Sequence, residues 1–394
     1  MEFNPYVIHI HSERHLREEF LRIGSTEAGN RIMGKKGLMI TLRIDNIGLK
    51  AANILKQEML AVGGDAAVHR DVAALAIDHS SMVLTATAKQ YEILLPKLKL
   101  QPFGLKRLAS ELEEVLGRHA QKWQPRALQC GSHQLPLGQR TLIMGIVNVT
   151  PDSFSDGGRY YDVEAAVRHA HQLVEEGADL LDVGGESTRP GHTAVEAEEE
   201  LRRVIPVIER LVKELHVPIS IDTYKARVAK AAVEAGAHIV NDVWGFKRDR
   251  DMAQTCADLG VPVILMHNRR EPLESDVMNG IIREIRESID LALEAGVKDE
   301  NIILDPGIGF GKSYEDNLLV LRHLADFCGL GYPVLLGTSR KSVIGNTLNL
   351  PVNERVEGTA ATVALGIAQG VDIVRVHDVL QMKRVALMAD ALVR

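Results

Sequence analysis

From Thr141 to the C-terminus one pattern recurs: a short apolar strand ending in polar residues, an amphipathic helix, and a short turn. The strands read LIMGIVNV (142–149), ADLLDVGG (178–185), PISIDT (218–223), HIVNDVW (238–244), PVILMH (262–267), NIILDP (301–306), PVLLGTS (333–339) and DIVRVH (372–377). Helical patterns such as KARVAKAAVEAG and IIREIRESIDLALEAG fill the intervals, with apolar residues at the 3.6-residue period. Gly177, Gly236, Gly260, Gly296 and Gly370 stand just before the next strand, where a left-handed residue closes a helix. Eight such units in about 250 residues is the arithmetic of a (β/α)8 TIM barrel, an α/β fold. A doubly wound sheet has fewer strands and sets a G-x-G-x-x-G turn after its first strand. Here that turn is NVTPDSFSDGG, which favours the barrel.

The chain has 394 residues, more than the barrel needs. Before residue 125 two strand-then-helix pairs stand out: LMITLRID (38–45) with LKAANILKQEMLAVG (49–63), and VLTATA (83–88) with QYEILLPKLKL (90–100). A further surface helix is expected over 105–123. The chain therefore reads as a small N-terminal α/β domain over 1–125, an irregular linker over about 124–140, and the barrel over 141–394.

In barrels of this kind chemistry gathers at the C-terminal ends of the strands. Those ends carry Asn148, the GGESTRPG loop (184–191), Asp222, Asn241, His267, Asp305, Ser339 with Arg340 and Lys341, and Arg375 with His377. A helix cap or loop polar explains any one of them; it explains all eight ends poorly. Asp222, Asn241 and Asp305 suit the donors and acceptors of a flat, nitrogen-rich heterocycle. Arg375 and His377 are two residues apart on one strand and share a face, where they can hold an anion with Lys341 nearby. Asn148 is a hard oxygen ligand suited to Mg2+ shared with phosphate oxygens and waters. The pattern points to a polar heterocycle bearing a phosphate or diphosphate, and no general base or nucleophile stands out.

The balance of 46 Lys+Arg against 53 Asp+Glu gives a formal charge of −7 and disfavours a nucleic-acid surface. Cys130, Cys256 and Cys328 are far apart with no CxxC pair, so they read as packing thiols in a reducing compartment. The first residues lack the apolar core of a signal peptide, and no apolar run spans a bilayer. A cytoplasmic protein without a membrane or nucleic-acid partner is the expectation. His9, His11 and His15 match no metal-binding spacing and read as surface residues. Gly307, Gly309 and Gly311 read as a tight turn rather than a phosphate loop.

Eight strings look like dihydropteroate synthase: MGIVNVTPDSFSDGG (144–158), DVGGESTRPG (182–191), SIDT (220–223), NDV (241–243), LMH (265–267), DPGIGFGK (305–312), GTSRKS (337–342) and RVHDV (375–379). They occur in order, one per strand end, across about 141–394; the residues before them resemble an N-terminal extension of some bacterial members. The resemblance implies a transferase of folate biosynthesis. It would join 6-hydroxymethyl-7,8-dihydropterin diphosphate to p-aminobenzoate, with Mg2+, giving 7,8-dihydropteroate and pyrophosphate. Departure of pyrophosphate before attack by the arylamine requires no strong base, which accounts for the missing one.

Carried over by position, the resemblance implies a pterin pocket of Asp222, Asn241, Met266, Asp305, Lys341 and Arg375. The diphosphate falls to Asn148, Arg375 and His377, with the metal on Asn148. The p-aminobenzoate site falls to Thr188, Arg189, Pro190, Phe310 and Ser339, and Phe154 and Asp156 lie in a mobile loop. Asp156, Lys341, Arg375 and His377 are the groups it assigns to the chemical step. A homodimer is the usual state of the family. The loop after His267, Asn268-Arg269-Arg270, is unusually basic for it. Two rivals are a corrinoid methyltransferase built on a related pterin barrel, which has no use for a diphosphate site, and a pterin-binding scaffold without turnover.

Overall fold

Each strand of the repeated unit sorts its side chains by period two, one set inward and one set toward a helix. The computed structural model describes the chain except residues 1–2, 11, 123, 151–158, 187–194 and 272–275. It separates into two compact units, Met1–Gly117 and Arg118–Arg394.

The first unit contains α1 (Glu13–Arg22), α2 (Glu27–Gly34), β1 (Met39–Gly48), α3 (Leu49–Ala61), β2 (Asp65–Val68), β3 (His79–Thr87), α4 (Ala88–Leu98) and most of α5 (Leu105–Gln121). The strands form one antiparallel sheet in the order β1-β3-β2. Both expected strand–helix pairs are present, as β1–α3 and β3–α4. Leu55, Met59, Leu84, Leu94, Leu98 and Leu105 are buried in its core, together with Tyr91, whose hydroxyl donates to the Ile40 carbonyl at 3.1 Å. Thr87 and Gln90 cap α4 reciprocally.

The second unit opens with a difference from the sequence reading. The stretch expected as an irregular linker forms a hairpin, β4 (Arg126–Cys130) with β5 (His133–Leu137), turned at Gly131, whose φ is +59°. Leu128, Cys130, Leu135 and Leu137 alternate to one face of it. Pro136 is tolerated because a two-stranded ribbon has only edges. The eight expected barrel strands follow: β6 (Leu142–Asn148), β7 (Leu180–Gly184), β8 (Ile219–Asp222), β9 (Ile239–Asp242), β10 (Val263–Met266), β11 (Ile302–Asp305), β12 (Leu335–Leu336) and β13 (Ile373–Val376). All pair in parallel, in the order β11-β10-β9-β8-β7-β6-β13-β12, and a Leu304–Val334 bridge closes the circle. The helices between them are α6 (Arg159–Glu175), α7 (Ala197–Glu214), α8 (Ala226–Glu234), α9 (Met252–Leu259), α10 (Val277–Ala295), α11 (Tyr314–Arg322), α12 (Leu324–Cys328), α13 (Ser342–Leu348), α14 (Val356–Ala368) and α15 (Val379–Val393). The five glycines expected to close helices all have positive φ.

Alternation divides the barrel into two cores. Ile143, Leu181, Ile219, Val240, Val263, Ile302, Leu336 and Val374 pack outward against the helices. Met144, Leu180, Ile239, Ile264, Ile303, Leu335 and Ile373 point inward at the N-terminal end. There the apolar face of the β4–β5 hairpin covers them, which removes that mouth of the barrel from water. The interior is therefore open to chemistry only at its C-terminal end.

Candidate active site

Two residues beyond the apolar layer the same strands turn polar. This holds for four of them, where Asp182 follows Leu180, Asn241 follows Ile239, Asp305 follows Ile303 and Arg375 follows Ile373; β10 places Met266 after Ile264, and β8 adds Asp222. All but Arg375 are buried. The Arg375 guanidinium ties the layer together. Its Nε donates to Asp182 Oδ2 at 2.6 Å and an Nη donates to Asp222 Oδ2 at 2.7 Å, while Asn241 Nδ2 donates to the same Asp182 oxygen at 3.1 Å. Asp222 Oδ1 and Asp182 Oδ1 are buried without a hydrogen-bond partner among the described residues. A buried acceptor left open is costly, so these oxygens remain available to accept a hydrogen bond. Burial pushes the Asp222 carboxyl up, against the opposing pull of Arg375. Burial also raises Asp305, with Lys341 opposing.

Asp305 ends β11 and accepts the Gly307 N–H through Oδ1 at 2.7 Å. The turn that follows supplies the next wall. Lys341 Nζ donates to the Ile308 carbonyl and lies 4.6 Å from the centre of the Phe310 ring. Burial lowers Lys341 to about 8, although Asp305 favours its charge. Ser339 Oγ accepts the His377 backbone N–H at 3.1 Å and lies 3.0 Å from His377 Nδ1, so the residues expected for the aminobenzoate and for the diphosphate share a border. Arg340, at φ +57°, is held away by a bidentate pair with Asp378 at 2.9 and 2.5 Å. Asn148 ends β6, half-buried, opposite Gly184, which in turn pairs with Asp222.

The structure thus brings together Asn148, Asp222, Asn241, Met266, Asp305, Phe310, Ser339, Lys341, Arg375 and His377 at the C-terminal mouth. Phe154, Asp156, Thr188, Arg189 and Pro190 lie outside the described residues.

Sequence reasoning passed over Asp182 and Lys312. Asp182 sits inside the strand rather than at its end; its inward phase with Leu180 and Gly184 was the available signal. Lys312 closes the glycine-rich turn. Its Nζ donates to the carbonyls of Gly307 at 2.9 Å and Phe310 at 3.1 Å, and to His267 Nδ1 at 2.8 Å. His267 Nε2 faces Glu284 Oε2 at 3.1 Å, which assigns the ring proton to Nε2 and leaves Nδ1 as acceptor. Burial lowers Lys312 to about 7 and His267 to about 4. The turn is also locked by backbone: a Cβ on Gly307 would stand 1.9 Å from the His267 carbonyl oxygen. Next to β7, Lys225 bridges Glu186 and the buried Glu200.

Residues 144–377 match the family model of the pterin-binding enzymes. The chain belongs to the dihydropteroate synthase family. It is 55% identical over 268 residues to dihydropteroate synthase of Clostridium beijerinckii, a match covering 68% of this chain and 100% of that one. A solved structure of the Xanthomonas albilineans enzyme in complex with 7,8-dihydropteroate superposes with a TM-score of 0.64 at 47% identity, covering 68% of this chain and 98% of that one. A probable bifunctional folylpolyglutamate synthase/dihydropteroate synthase of Halobacterium salinarum is 42% identical over 353 residues, covering 87% of this chain and 42% of that one. That last match is longer than Arg118–Arg394 and so extends into the first unit. The activity is that of a transferase of folate biosynthesis, forming 7,8-dihydropteroate from dihydropterin diphosphate and p-aminobenzoate.

Proposed function

We propose that the polar interior layer holds the pterin and that the rim around it handles the two groups being exchanged. The observation that carries this reading is the Arg375 bridge with its open carboxylate oxygens. Asp222, Asn241 and Asp305 receive the N–H edges of the ring, Lys341 donates to its acceptors, and Met266 and Arg375 pack on its faces. Asn148, Arg375 and His377 take the diphosphate. Phe310 and Ser339, with Thr188, Arg189 and Pro190, take p-aminobenzoate. Asp156, which lies outside the described residues with Phe154, is assigned the role of stabilising positive charge at the reacting carbon.

The reaction then runs dissociatively. The C–O bond of the exocyclic methylene breaks, and its electron pair leaves with pyrophosphate toward Arg375 and His377. The resulting cation is attacked by the arylamine nitrogen, which afterwards loses one proton to solvent. The protein's part is to neutralise the departing charge and keep water out, rather than to act as a strong base.

The donor set fits Mg2+ brought in by the diphosphate. Among the described residues no three His, Cys, Asp or Glu side chains group as a cage, whereas Asn148 offers one hard oxygen at the rim. When bound, the ion would be held by Asn148 with phosphate and water oxygens, and it would supply charge neutralisation.

We assign catalysis to 141–394, because that span holds the eight barrel strands and every described residue of the candidate site. A homodimer through α14 and α15 is supported by exposed Leu365, Leu387, Met388 and Leu392 on those helices. The cytoplasm suits three buried, unpaired cysteines and the lack, among described residues, of a helix able to cross a membrane. The test of the site is pterin binding by Asp305→Ala: loss is expected, and retained affinity would sink the assignment. Sedimentation of Leu387→Glu tests the dimer, with monomers expected and an unchanged mass contradicting it.

A further inference from the structure

Outside the barrel interior, a cavity of about 470 Å3 opens between the segments after β9 and β10 and the middle of α10. It is lined by Trp244, Asn268, five cations (Lys247, Arg248, Arg269, Arg270 and Arg283) and two carboxylates, Glu284 and Glu287. In a chain of net charge −7 this is a local inversion of sign. The carboxylates are already engaged. Glu287 pairs with Lys247 at 2.9 Å, while Glu284 faces His267 at 3.1 Å and Arg269 at 3.5 Å. Among the described residues Arg248, Arg270 and Arg283 have no carboxylate partner. Arg248 is held by stacking, 4.6 Å from the Tyr224 ring centre and 4.9 Å from that of Trp244. Nε of Arg269 is shielded from solvent without a hydrogen-bond partner among those residues, and its Nη1, likewise shielded, has only the 3.5 Å ion pair with Glu284.

Five cations against two carboxylates leave the lining net positive, which an anion shared among the cations would neutralise. We propose that this cavity binds a small multivalent anion, one that carries clustered phosphate or carboxylate groups, and that its occupancy is felt in the arylamine pocket. The link is mechanical. A Cβ on Gly311 would lie 2.1 Å from the Arg269 carbonyl oxygen, so the loop bearing Arg269 and the turn bearing Phe310 are in backbone contact. Lys312 and His267 join them again, and Glu284 connects that pair to the cavity. This second element rests on the assignment of Phe310 to p-aminobenzoate; the binding site itself does not.

The full chain is titrated with inorganic tripolyphosphate and, separately, with citrate. Mg2+ is omitted, and dihydropteroate and pyrophosphate are saturating to occupy the interior site. Trp244 fluorescence and calorimetry follow the titration. One anion per chain is expected for at least one probe, and which probe binds distinguishes phosphate from carboxylate chemistry. Affinity should fall at least tenfold in Arg270→Ala/Arg283→Ala, stay unchanged in the control Lys106→Ala/Arg107→Ala, and leave turnover without the anion intact. No saturable binding of either probe, or equal affinity in Arg270→Ala/Arg283→Ala, overturns the site. Saturating anion should shift KM for p-aminobenzoate at least threefold with kcat unchanged. A KM that stays put while the anion binds overturns the coupling alone.

Discussion

The lower and upper interior layers of the barrel are built by the same strands, yet one is a sealed apolar plug and the other a charged pocket. On β11 the two layers are Ile303 and Asp305; on β13 they are Ile373 and Arg375. Backbone geometry is alike at both levels, so only the identity of the next inward residue differs. The lower layer is covered by four apolar side chains of a hairpin, of which the three leucines each contribute on the order of 1.5–3 kcal/mol when fully buried. The upper layer gives that up to hold two buried carboxylates on one guanidinium. Stability and function are thus separated by two residues along β7, β9, β11 and β13.

Substitutions in the two layers should therefore fail differently. Asp305→Ala removes the proposed receptor of the pterin edge: turnover should fall by about 10³ or more, with an unchanged circular dichroism spectrum. Arg375→Met strands Asp182 and Asp222 as buried unpaired acids; about 3–5 kcal/mol of stability should go together with activity, read by urea unfolding and turnover. If stability were unaffected, the bridge would not hold the upper layer together. Leu135→Ala, in the lower layer, should cost about 2–5 kcal/mol while kcat and both KM values stay near wild type. A loss of kcat without loss of stability would erase the distinction between layers. Ser339→Ala should raise KM for p-aminobenzoate by roughly tenfold, the worth of one good hydrogen bond, with pterin affinity preserved. A further test is a pH effect at His267. Burial holds its folded pKa near 4, below the ordinary value of about 6.5. Between those values the unfolded chain binds the extra proton, so stability falls as pH drops from about 6.5 to 4. His267→Gln should flatten that slope in unfolding experiments across the same window.

Much of the fold was legible because strand and helix periods alternate so regularly after Thr141. All eight strands lie where their apolar runs place them, and Asp222, Asn241, Asp305 and Arg375 face inward together as a shared level requires. What escaped did so for identifiable reasons. The β4–β5 hairpin was hidden by Pro136 and by strands of only five residues, although Leu128, Cys130, Leu135 and Leu137 carry the two-residue period. β2 (DAAV) is too short and too small-sided to announce itself. Asp182 lies mid-strand, where strand-end reading does not look. Lys312 looks like a surface lysine until three-dimensional packing sets it among the carbonyls of its own turn. The contacts of Lys225 with Glu186 and Glu200 join residues far apart in sequence and have no local signature.

The most direct test of the upper layer as the reaction site is a turnover assay on the full chain with dihydropterin diphosphate and labelled p-aminobenzoate, with Mg2+ and then with EDTA. The expected result is metal-dependent labelled dihydropteroate with one pyrophosphate per product, abolished in Asp305→Ala. Pterin binding without product, or undiminished turnover in Asp305→Ala, would contradict it.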